Sequence, residues 1–242
     1  MGPFSNTPVV VKNLLIINII FFIATAVFES KGVQLTSLLG VYYIDSPNFN
    51  VWQLITYMFM HGGFAHILFN MFALFSFGSV LEHLMGPKRF LNFYLITGLG
   101  ALALQFLVQA IEMYGITGHV YNPGSFTINA SSISYNQQLI SESQASKILS
   151  IYLTPMVGAS GAIFGLLIAF GMLFPNAELM ILFIPVPVKA KYIIPIYIVL
   201  ELVLGVAQFA GDSVAHFAHL GGALFGFILI KLWGIRRPGG FI

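Results

Sequence analysis

Four polar side chains lie within apolar stretches of this sequence, where they could support chemistry: His66, Asn70, Ser160 and His219. An imidazole beside a serine hydroxyl can take its proton, which makes the serine a nucleophile toward a carbonyl carbon. A second imidazole and a side-chain amide can donate hydrogen bonds to the oxyanion that this attack creates. These residue types therefore permit acyl transfer, with Ser160 as the nucleophile and His219 as the general base.

Each of these residues also has a plainer interpretation. A single serine in an apolar helix usually hydrogen-bonds to its own backbone. A single histidine there is more often packed, a proton relay or a ligand than a catalytic base. The residue types alone leave these alternatives open, because the chemistry depends on how the surrounding elements position the side chains.

The composition is that of a multi-pass membrane protein. Of 242 residues, 58% are hydrophobic and 7% are charged, whereas soluble domains carry about 25% charged residues. The net charge of +2 is too small to indicate binding to nucleic acid. The absence of cysteine excludes disulfides, thiol catalysis and cysteine metal sites.

Six apolar segments reach the length of about 20 residues that a bilayer requires. We predict one domain, residues 1–242, folded as an all-α integral membrane bundle of six transmembrane helices. The helices are expected at approximately 9–28, 64–84, 90–111, 156–174, 192–210 and 214–233. The first segment is too long for a signal-peptide core, and no cleavage site follows it. A shorter run at 179–188, interrupted by two prolines, is expected to be a hydrophobic loop at the membrane interface.

The positive charges predict the orientation, because cytoplasmic loops are enriched in lysine and arginine. With the N-terminus inside, only Lys31 and Lys147 lie outside. The inner side then holds the other basic residues: Lys12, Lys88, Arg89, Lys189, Lys191, Lys231, Arg236 and Arg237. We therefore expect both termini to be cytoplasmic.

Two long outer loops follow from this topology. Residues 29–63 include Trp52 and many apolar side chains, which suits packing at the membrane interface. Residues 112–155 are different, because more than half of the positions between Ser125 and Ser146 are Ser, Thr, Asn or Gln. We expect this second loop to be solvated and mobile.

The helical rise places the four polar residues at a similar depth. At about 1.5 Å per residue, Ser160 lies roughly 22 Å above the inner end of its helix. The same count gives roughly 21 Å for His219 and 24 Å for His66 in a core about 30 Å thick. Asn70 lies one turn deeper than His66 on the same face. The four side chains can therefore form one site.

Glycine spacing supports a close approach of the helices that carry Ser160 and His219. Gly161 and Gly165 are four residues apart, and so are Gly222 and Gly226. Small residues at this spacing let membrane helices pack closely.

Three motifs resemble those of rhomboid intramembrane proteases. Residues 158–161, Gly-Ala-Ser-Gly, resemble the GxSG motif. Residues 218–226, AHLGGALFG, fit the AHxxGxxxG pattern, and residues 66–70, HILFN, fit the HxxxN pattern. Trp52 and Glu82 resemble further, structural features of the family, and the resemblance extends over roughly residues 9 to 235.

The resemblance implies an intramembrane serine endopeptidase that uses a Ser160–His219 dyad without an acidic third member. None of the eight carboxylates is placed by the sequence beside His219. The oxyanion would be stabilised by His66, Asn70 and backbone N–H groups at Ser160 and Ala159. The motif and packing positions would be Gly158, Gly161, Gly165, Gly222, Gly226 and Phe164.

The resemblance also implies the cellular setting. The substrates would be single-span membrane proteins cleaved in or near the outer part of their transmembrane segment. Access would pass beside the fifth helix and the loop 209–213. No cofactor, metal or nucleic acid is expected, and the partners are the substrate and the lipid bilayer. A bacterial inner membrane is the expected location, because no organelle-targeting segment is apparent. The sequence indicates no oligomeric state.

Two positions depart from the family pattern. Phe164 stands where well-studied bacterial members have tyrosine, so the ring can stack on the catalytic histidine but lacks the hydroxyl. Gln53 follows Trp52 where the family has arginine.

His216 lies one turn before His219, and structural packing is the favoured interpretation over a role in bonding the loop backbone or in water access.

Three other classes of protein compete with this interpretation. A transporter or channel would need acidic groups or paired broken helices, and only Glu201 is a carboxylate near mid-membrane. A metal or haem protein would use His61, His66, His216 and His219. A rhomboid-like protein without protease activity would bind membrane clients, but the intact GxSG motif and His219 argue against it.

Overall fold

The computed structural model describes residues 7–129, 132–181, 184–207 and 215–237. Helices make up most of this part of the chain. In chain order they are α1 (Val9–Glu29), α2 (Leu35–Leu39), α3 (Gln53–Thr56), α4 (Phe64–Ala73), α5 (Ser79–Met85), α6 (Pro87–Thr117), α7 (Glu142–Leu153), α8 (Ser160–Leu173), α9 (Ala190–Ala207) and α10 (His216–Leu232).

Four continuous helical spans are long and apolar enough to cross a membrane. They are Val9–Glu29, Phe64–Met85, Pro87–Thr117 and Ala190–Ala207. The second of these is α4 and α5 joined by a π-helical segment, Leu74–Gly78. Together with the shorter α8 and α10, these helices overlap the six segments predicted from hydropathy, although α6 extends beyond its predicted segment at both ends. The protein is an all-α, multi-pass integral membrane bundle.

The two short helices occupy the centre of the bundle. The 14 residues of α8 rise only about 21 Å, which is less than the hydrocarbon thickness. Most of α8 is buried, and α10 packs mainly against α6 and α8. Ser160, the first residue of α8, is partly buried.

A buried carboxylate fastens α1 to the second span. Glu82 is 3% exposed and accepts hydrogen bonds from the backbone N–H groups of Val10 and Val11, at 2.9 and 2.8 Å. These N–H groups lie in the first turn of α1, where no helical carbonyl is available to accept from them. Glu82 therefore has a structural position at the base of the bundle, away from Ser160 and His219.

The first outer loop, residues 30–63, is folded against the bundle. It contains α2, α3 and a 3₁₀ turn, Tyr57–Phe59. Trp52 is half exposed and donates its Nε1–H to the Leu38 carbonyl at 3.1 Å. Gln53 is fully buried, and its Nε2 donates to the carbonyls of Leu38 and Asn48. The amide thus binds loop backbone where the family pattern has a charged arginine.

Much of the predicted loop at 112–155 is regular structure in the residues described. Helix α6 continues to Thr117, and a hairpin follows in which β1 (Phe126–Asn129) pairs antiparallel with β2 (Ser132–Tyr135). Helix α7 then begins at a capping box formed by Ser141 and Gln144. These elements enclose a separate apolar cluster with the first outer loop: Tyr43, Met113, Phe126, Ile140, Ala145, Ile148, Ile151 and Tyr152. Apolar positions scattered among polar ones supply this core.

Hydrogen bonds to Asp45 tie the second outer region to the first loop. The Asp45 carboxylate accepts from the Tyr152 hydroxyl at 2.5 Å and from the Asn122 backbone N–H at 2.7 Å. Burial, together with the bond to Asp45, raises the pKa of Tyr152, which keeps its hydroxyl protonated as a donor. The outer regions therefore form one folded cap on the bundle.

The predicted interfacial loop at 179–188 is a hairpin in the described residues. Strand β3 (Glu178–Ile181) pairs antiparallel with β4 (Ile184–Lys189), and α9 begins directly after it. The proline positions agree with a short, irregular two-stranded ribbon. The predicted access loop 209–213 lies outside the described residues.

Candidate active site

The chain enters α8 through a glycine that no other residue could easily replace. Gly158 has φ +128°, and a Cβ built there would lie 2.8 Å from the His66 ring and 3.5 Å from Ser160 Oγ. Its N–H donates to the Tyr57 carbonyl at 2.9 Å. Ala159 follows, fully buried, as the N-cap of α8. This bend places Ser160 at the first helical position with its side chain partly accessible.

His219 lies on α10 opposite Ser160. The distance from its Nε2 to Ser160 Oγ is 2.8 Å, and the residue is 8% exposed. When Nε2 carries no proton, the serine hydroxyl donates this hydrogen bond. The distance is within the range that a nucleophile and its general base require.

Glycines set the separation of α8 and α10. A Cβ on Gly222 would lie 1.8 Å from the Gly161 carbonyl oxygen, and a Cβ on Gly226 would lie 2.7 Å from that of Gly165. Both distances are shorter than the closest approach of non-bonded atoms, and the atoms in the way belong to the α8 backbone, which cannot rotate aside. Gly222 and Gly226 therefore allow the backbone contact between α10 and α8 that brings His219 to Ser160. Gly161 and Gly165 face α6 instead, where an added Cβ would lie 2.5 Å from Ala101 and 2.7 Å from Thr97.

Phe164 stacks on the imidazole of His219. The ring centroids are 4.3 Å apart and the planes differ by 6°. The Phe164 ring also contacts the ring of Tyr197 on α9, with centroids 5.0 Å apart. The stack restricts rotation of the imidazole and leaves its two ring nitrogens for hydrogen bonds in the ring plane.

His66 and Asn70 approach the same region from α4. The His66 ring lies beside Gly158, as the contact geometry above shows, and its Nδ1 accepts from the Gly62 N–H at a long 3.4 Å. Asn70 is 6% exposed, and its buried Nδ2 has no acceptor among the described residues. A buried amide donor without a partner is uncommon in folded proteins. The free Nδ2–H donor of Asn70 could donate a hydrogen bond to an oxygen that becomes negatively charged during a reaction.

A buried carboxylate contacts His219 on the side away from Ser160. Glu201 of α9 is 4% exposed, and its Oε2 lies 2.8 Å from His219 Nδ1 and 2.7 Å from His216 Nδ1. The expectation that no acidic group accompanies the dyad is therefore wrong for this chain. The residues are 18 positions apart on different helices, so only the rotation of α9 about its axis brings them together.

Sequence signals for this contact existed. A carboxylate near mid-membrane is costly and requires a partner. Two histidines at a spacing of three residues share one face of α10, which places His216 beside His219. The hydropathy pattern does not show which way the polar face of α9 points, and that is why the contact was missed.

His61 and His66 form an edge-to-face pair beside the site, with centroids 5.0 Å apart. His61 lies in the turn before α4 and is 3% exposed. Burial, followed by the neighbouring His66, lowers the pKa of His61 to about 4. The ring is consequently neutral near pH 7 and serves as packing behind His66.

One group of side chains in the described residues has donors suited to a metal ion: Glu201, His216 and His219, whose ligand atoms lie within 4.8 Å of one another. Their nitrogen–oxygen distances are those of hydrogen bonds, which already satisfy Glu201 Oε2. An ion held by all three would need a nitrogen of His219. The arrangement therefore suits proton chemistry better than metal ligation.

Comparison with known proteins supports the motif assignment. A protein-family model described as Rhomboid domain matches residues 48–236. The chain is 28% identical over 196 residues to "Rhomboid protease GluP" of Bacillus subtilis, which covers 78% of this chain and 27% of that protein. It is 27% identical over 233 residues to "RHOMBOID-like protein 12, mitochondrial" of Arabidopsis thaliana, which covers 96% of this chain and 60% of that protein.

A third relative is shorter in its match. "Putative rhomboid protease YdcA" of Bacillus subtilis is 27% identical over 112 residues, which covers 46% of this chain and 55% of that protein. The chain thus spans between about a quarter and three fifths of the length of these three relatives.

Proposed function

We propose that this chain, which belongs to the rhomboid family, is an intramembrane serine endopeptidase with Ser160 as nucleophile and His219 as general base. The single observation that carries the proposal is the 2.8 Å contact between Ser160 Oγ and His219 Nε2 inside a membrane bundle. The match of the family model over residues 48–236 supports it, as do the names of the relatives.

The reaction would proceed through an acyl-enzyme. His219 Nε2 takes the Oγ–H proton while Ser160 Oγ bonds to the scissile carbonyl carbon. The tetrahedral oxyanion collapses, the C–N bond breaks, and Nε2 delivers the proton to the leaving amine. Water then attacks the ester carbonyl while Nε2 takes its proton. The second tetrahedral intermediate collapses, the bond between the carbonyl carbon and Ser160 Oγ breaks, and Nε2 returns the proton to Oγ as the acid product leaves.

The oxyanion would be held by donors from two helices. The first N–H groups of α8 have no helical acceptor and lie at its positive end. The unpaired Nδ2 of Asn70 and the adjacent imidazole of His66 approach from α4. Each such donor contributes about 10²–10³-fold to the rate in soluble enzymes.

The proposed substrates are single-span membrane proteins. A helix conceals its carbonyl groups in its own hydrogen bonds, so the scissile segment must unwind before attack. Ser160 lies at the outer end of a short helix, which favours cleavage in or near the outer part of the substrate span. Access beside α9 is favoured because that helix has only four buried residues: Ala190, Ile194, Glu201 and Gly205.

We also propose an orientation with both termini in the cytoplasm of a bacterium. The eight-to-two distribution of basic residues between the predicted sides supports this orientation. The matches to two Bacillus subtilis proteins support a bacterial inner membrane, although other relatives are named mitochondrial.

The direct test is cleavage of a labelled single-span protein by the purified chain in a bilayer. Wild type should cleave it, and Ser160→Ala should abolish cleavage without lowering the melting temperature. His219→Ala should also abolish cleavage, with some loss of stability because it removes a donor to the buried Glu201 carboxylate. A fluorophosphonate probe should label wild type at Ser160. Undiminished cleavage by Ser160→Ala would exclude the proposed nucleophile.

A further inference from the structure

The contacts of Glu201 extend the proposed chemistry by one residue. We propose that Glu201 is a positioning residue that holds His219 in the tautomer and orientation needed to activate Ser160, with His216 holding Glu201 in turn. This inference rests on the proposed function, since it concerns the same base. It adds an acidic member to a site expected to be a dyad.

The tautomer argument follows from the two ring nitrogens of His219. A neutral imidazole carries a proton on one nitrogen and a lone pair on the other. A carboxylate can only accept, so the 2.8 Å contact of Nδ1 with Glu201 Oε2 places the proton on Nδ1. Nε2 then presents its lone pair to Ser160 Oγ, also at 2.8 Å. The opposite tautomer would turn an N–H toward the hydroxyl and could not take its proton.

The charge argument concerns the moment of attack. When Nε2 accepts the serine proton, the imidazole becomes a cation in a site that is almost closed to solvent. The Glu201 carboxylate lies in contact with that cation, and the two charges attract strongly at low dielectric constant. The ring face is covered by Phe164, so the stabilisation comes in the ring plane.

His216 explains how a carboxylate can be kept at this position. Its Nδ1 donates to the same Oε2 at 2.7 Å, from one turn earlier on α10. Two donors on one helix face fix the oxygen between them and compensate for its removal from water. The sequence favoured structural packing for His216. We infer a particular structural role, in which His216 orients the Glu201 carboxylate and that carboxylate orients His219.

A different interpretation is that Glu201 only fastens α9 to α10. Both interpretations predict loss of stability when Glu201 is replaced. Only the positioning role predicts that the folded variant loses kcat while KM is unchanged, because the missing interaction acts on proton transfer and not on substrate binding.

The experiment compares Glu201→Gln with Glu82→Gln in the full chain, reconstituted in a bilayer. Each replaces a buried carboxylate that accepts two hydrogen bonds, but Glu82 lies at the base of α1. We expect Glu201→Gln to lower both kcat and the fluorophosphonate labelling rate by about 10²–10⁴-fold, since the corresponding change in soluble triads costs about 10⁴-fold. Glu82→Gln should lower the melting temperature but leave kcat within about threefold of wild type. Glu201→Asp, which keeps the charge, should recover part of the lost rate.

The outcomes separate the two proposals. If wild type is not labelled at Ser160, the proposed function fails. If wild type is labelled and folded Glu201→Gln matches it within about threefold, Glu201 has no positioning role. If Glu201→Gln does not fold, ¹⁵N-histidine NMR of wild type decides instead, with His219 assigned by its loss in His219→Gln. A proton on Nδ1 and none on Nε2 supports the proposal, and the reverse tautomer overturns it.

Discussion

Two helix contacts hold the same site by different physical means. One is the glycine contact of α10 with α8, called the seam here, and the other is the contact of α9 with α10. Along the seam, glycines let two backbones touch, so that a Cβ on Gly222 would meet the Gly161 carbonyl at 1.8 Å. Helix α9 instead contacts α10 through the hydrogen bonds of Glu201, and through Gly205, whose added Cβ would lie 3.0 Å from His216 Cβ. Most of its other side chains face outward.

The difference indicates which part of the site is rigid. Backbone contact between glycines leaves no room for sliding or rotation, so the seam fixes the distance from Ser160 to His219. Helix α9 has only four buried residues, so we expect it to move relative to α10 more readily than α8 does. The nucleophile and base are therefore held by the rigid seam, while the group that orients the base lies on the helix that is easier to move.

The largest effect is expected from a substitution that forces α8 and α10 apart. Gly222→Ala should destabilise the protein by about 3 kcal/mol or more, because the new methyl meets backbone that cannot rotate away. Activity should be lost with the fold, and a melting curve followed by a cleavage assay would show both. Gly115→Ala in α6, where an added Cβ meets nothing within 4 Å, is the matched control and should leave both unchanged.

A smaller effect is expected where the two regions meet at Phe164. Replacing it with leucine removes the ring stacked on His219, an interaction of about 0.5–1.5 kcal/mol. The kcat should fall by about threefold to tenfold, while KM changes little. Phe164→Tyr, which keeps the ring, should retain most of the rate. A leucine variant with wild-type kcat would show that the hydrogen bonds alone orient the imidazole.

A smaller effect again is expected on the α9 side. Gly205→Ala places a methyl 3.0 Å from His216 Cβ and 3.3 Å from the Phe217 ring, both side-chain atoms that can adjust. Destabilisation of about 1 kcal/mol is expected, with kcat lowered by about threefold as α9 shifts from His216. Should Gly205→Ala prove as damaging as Gly222→Ala in the melting curve, α9 is as rigidly held as the seam.

No effect is expected from removing metal ions. Glu201, His216 and His219 are joined by hydrogen bonds, so prior treatment with EDTA should leave the cleavage rate unchanged. Added Zn²⁺ should inhibit instead, because an ion at these three groups would occupy a nitrogen of His219. Activity that disappears with EDTA and returns with Zn²⁺ would favour the metal-protein alternative.

Much of the architecture could be predicted because helix formation in a membrane is a local property. Backbone groups in lipid must be bonded within their own segment, so hydropathy alone marks the spans. The ends of the helices were harder to predict, since α6 continues to Thr117 and α8 begins at Ser160 rather than at 156. The outer region was mispredicted because its core joins Tyr43 of the first loop to Phe126 and Ile148, which are distant in sequence.

The sequence by itself determined the membrane class, the helical segments, and the motifs that single out Ser160, His219, His66 and Asn70. It also determined which positions carry glycine, and glycine is the only residue whose lack of a side chain allows backbone contact between helices. Only the tertiary structure decided that Glu201 and His216 meet His219. The physical reason is that a side-chain contact between helices depends on how each helix is rotated and how deeply it lies, and both are set by packing against its neighbours.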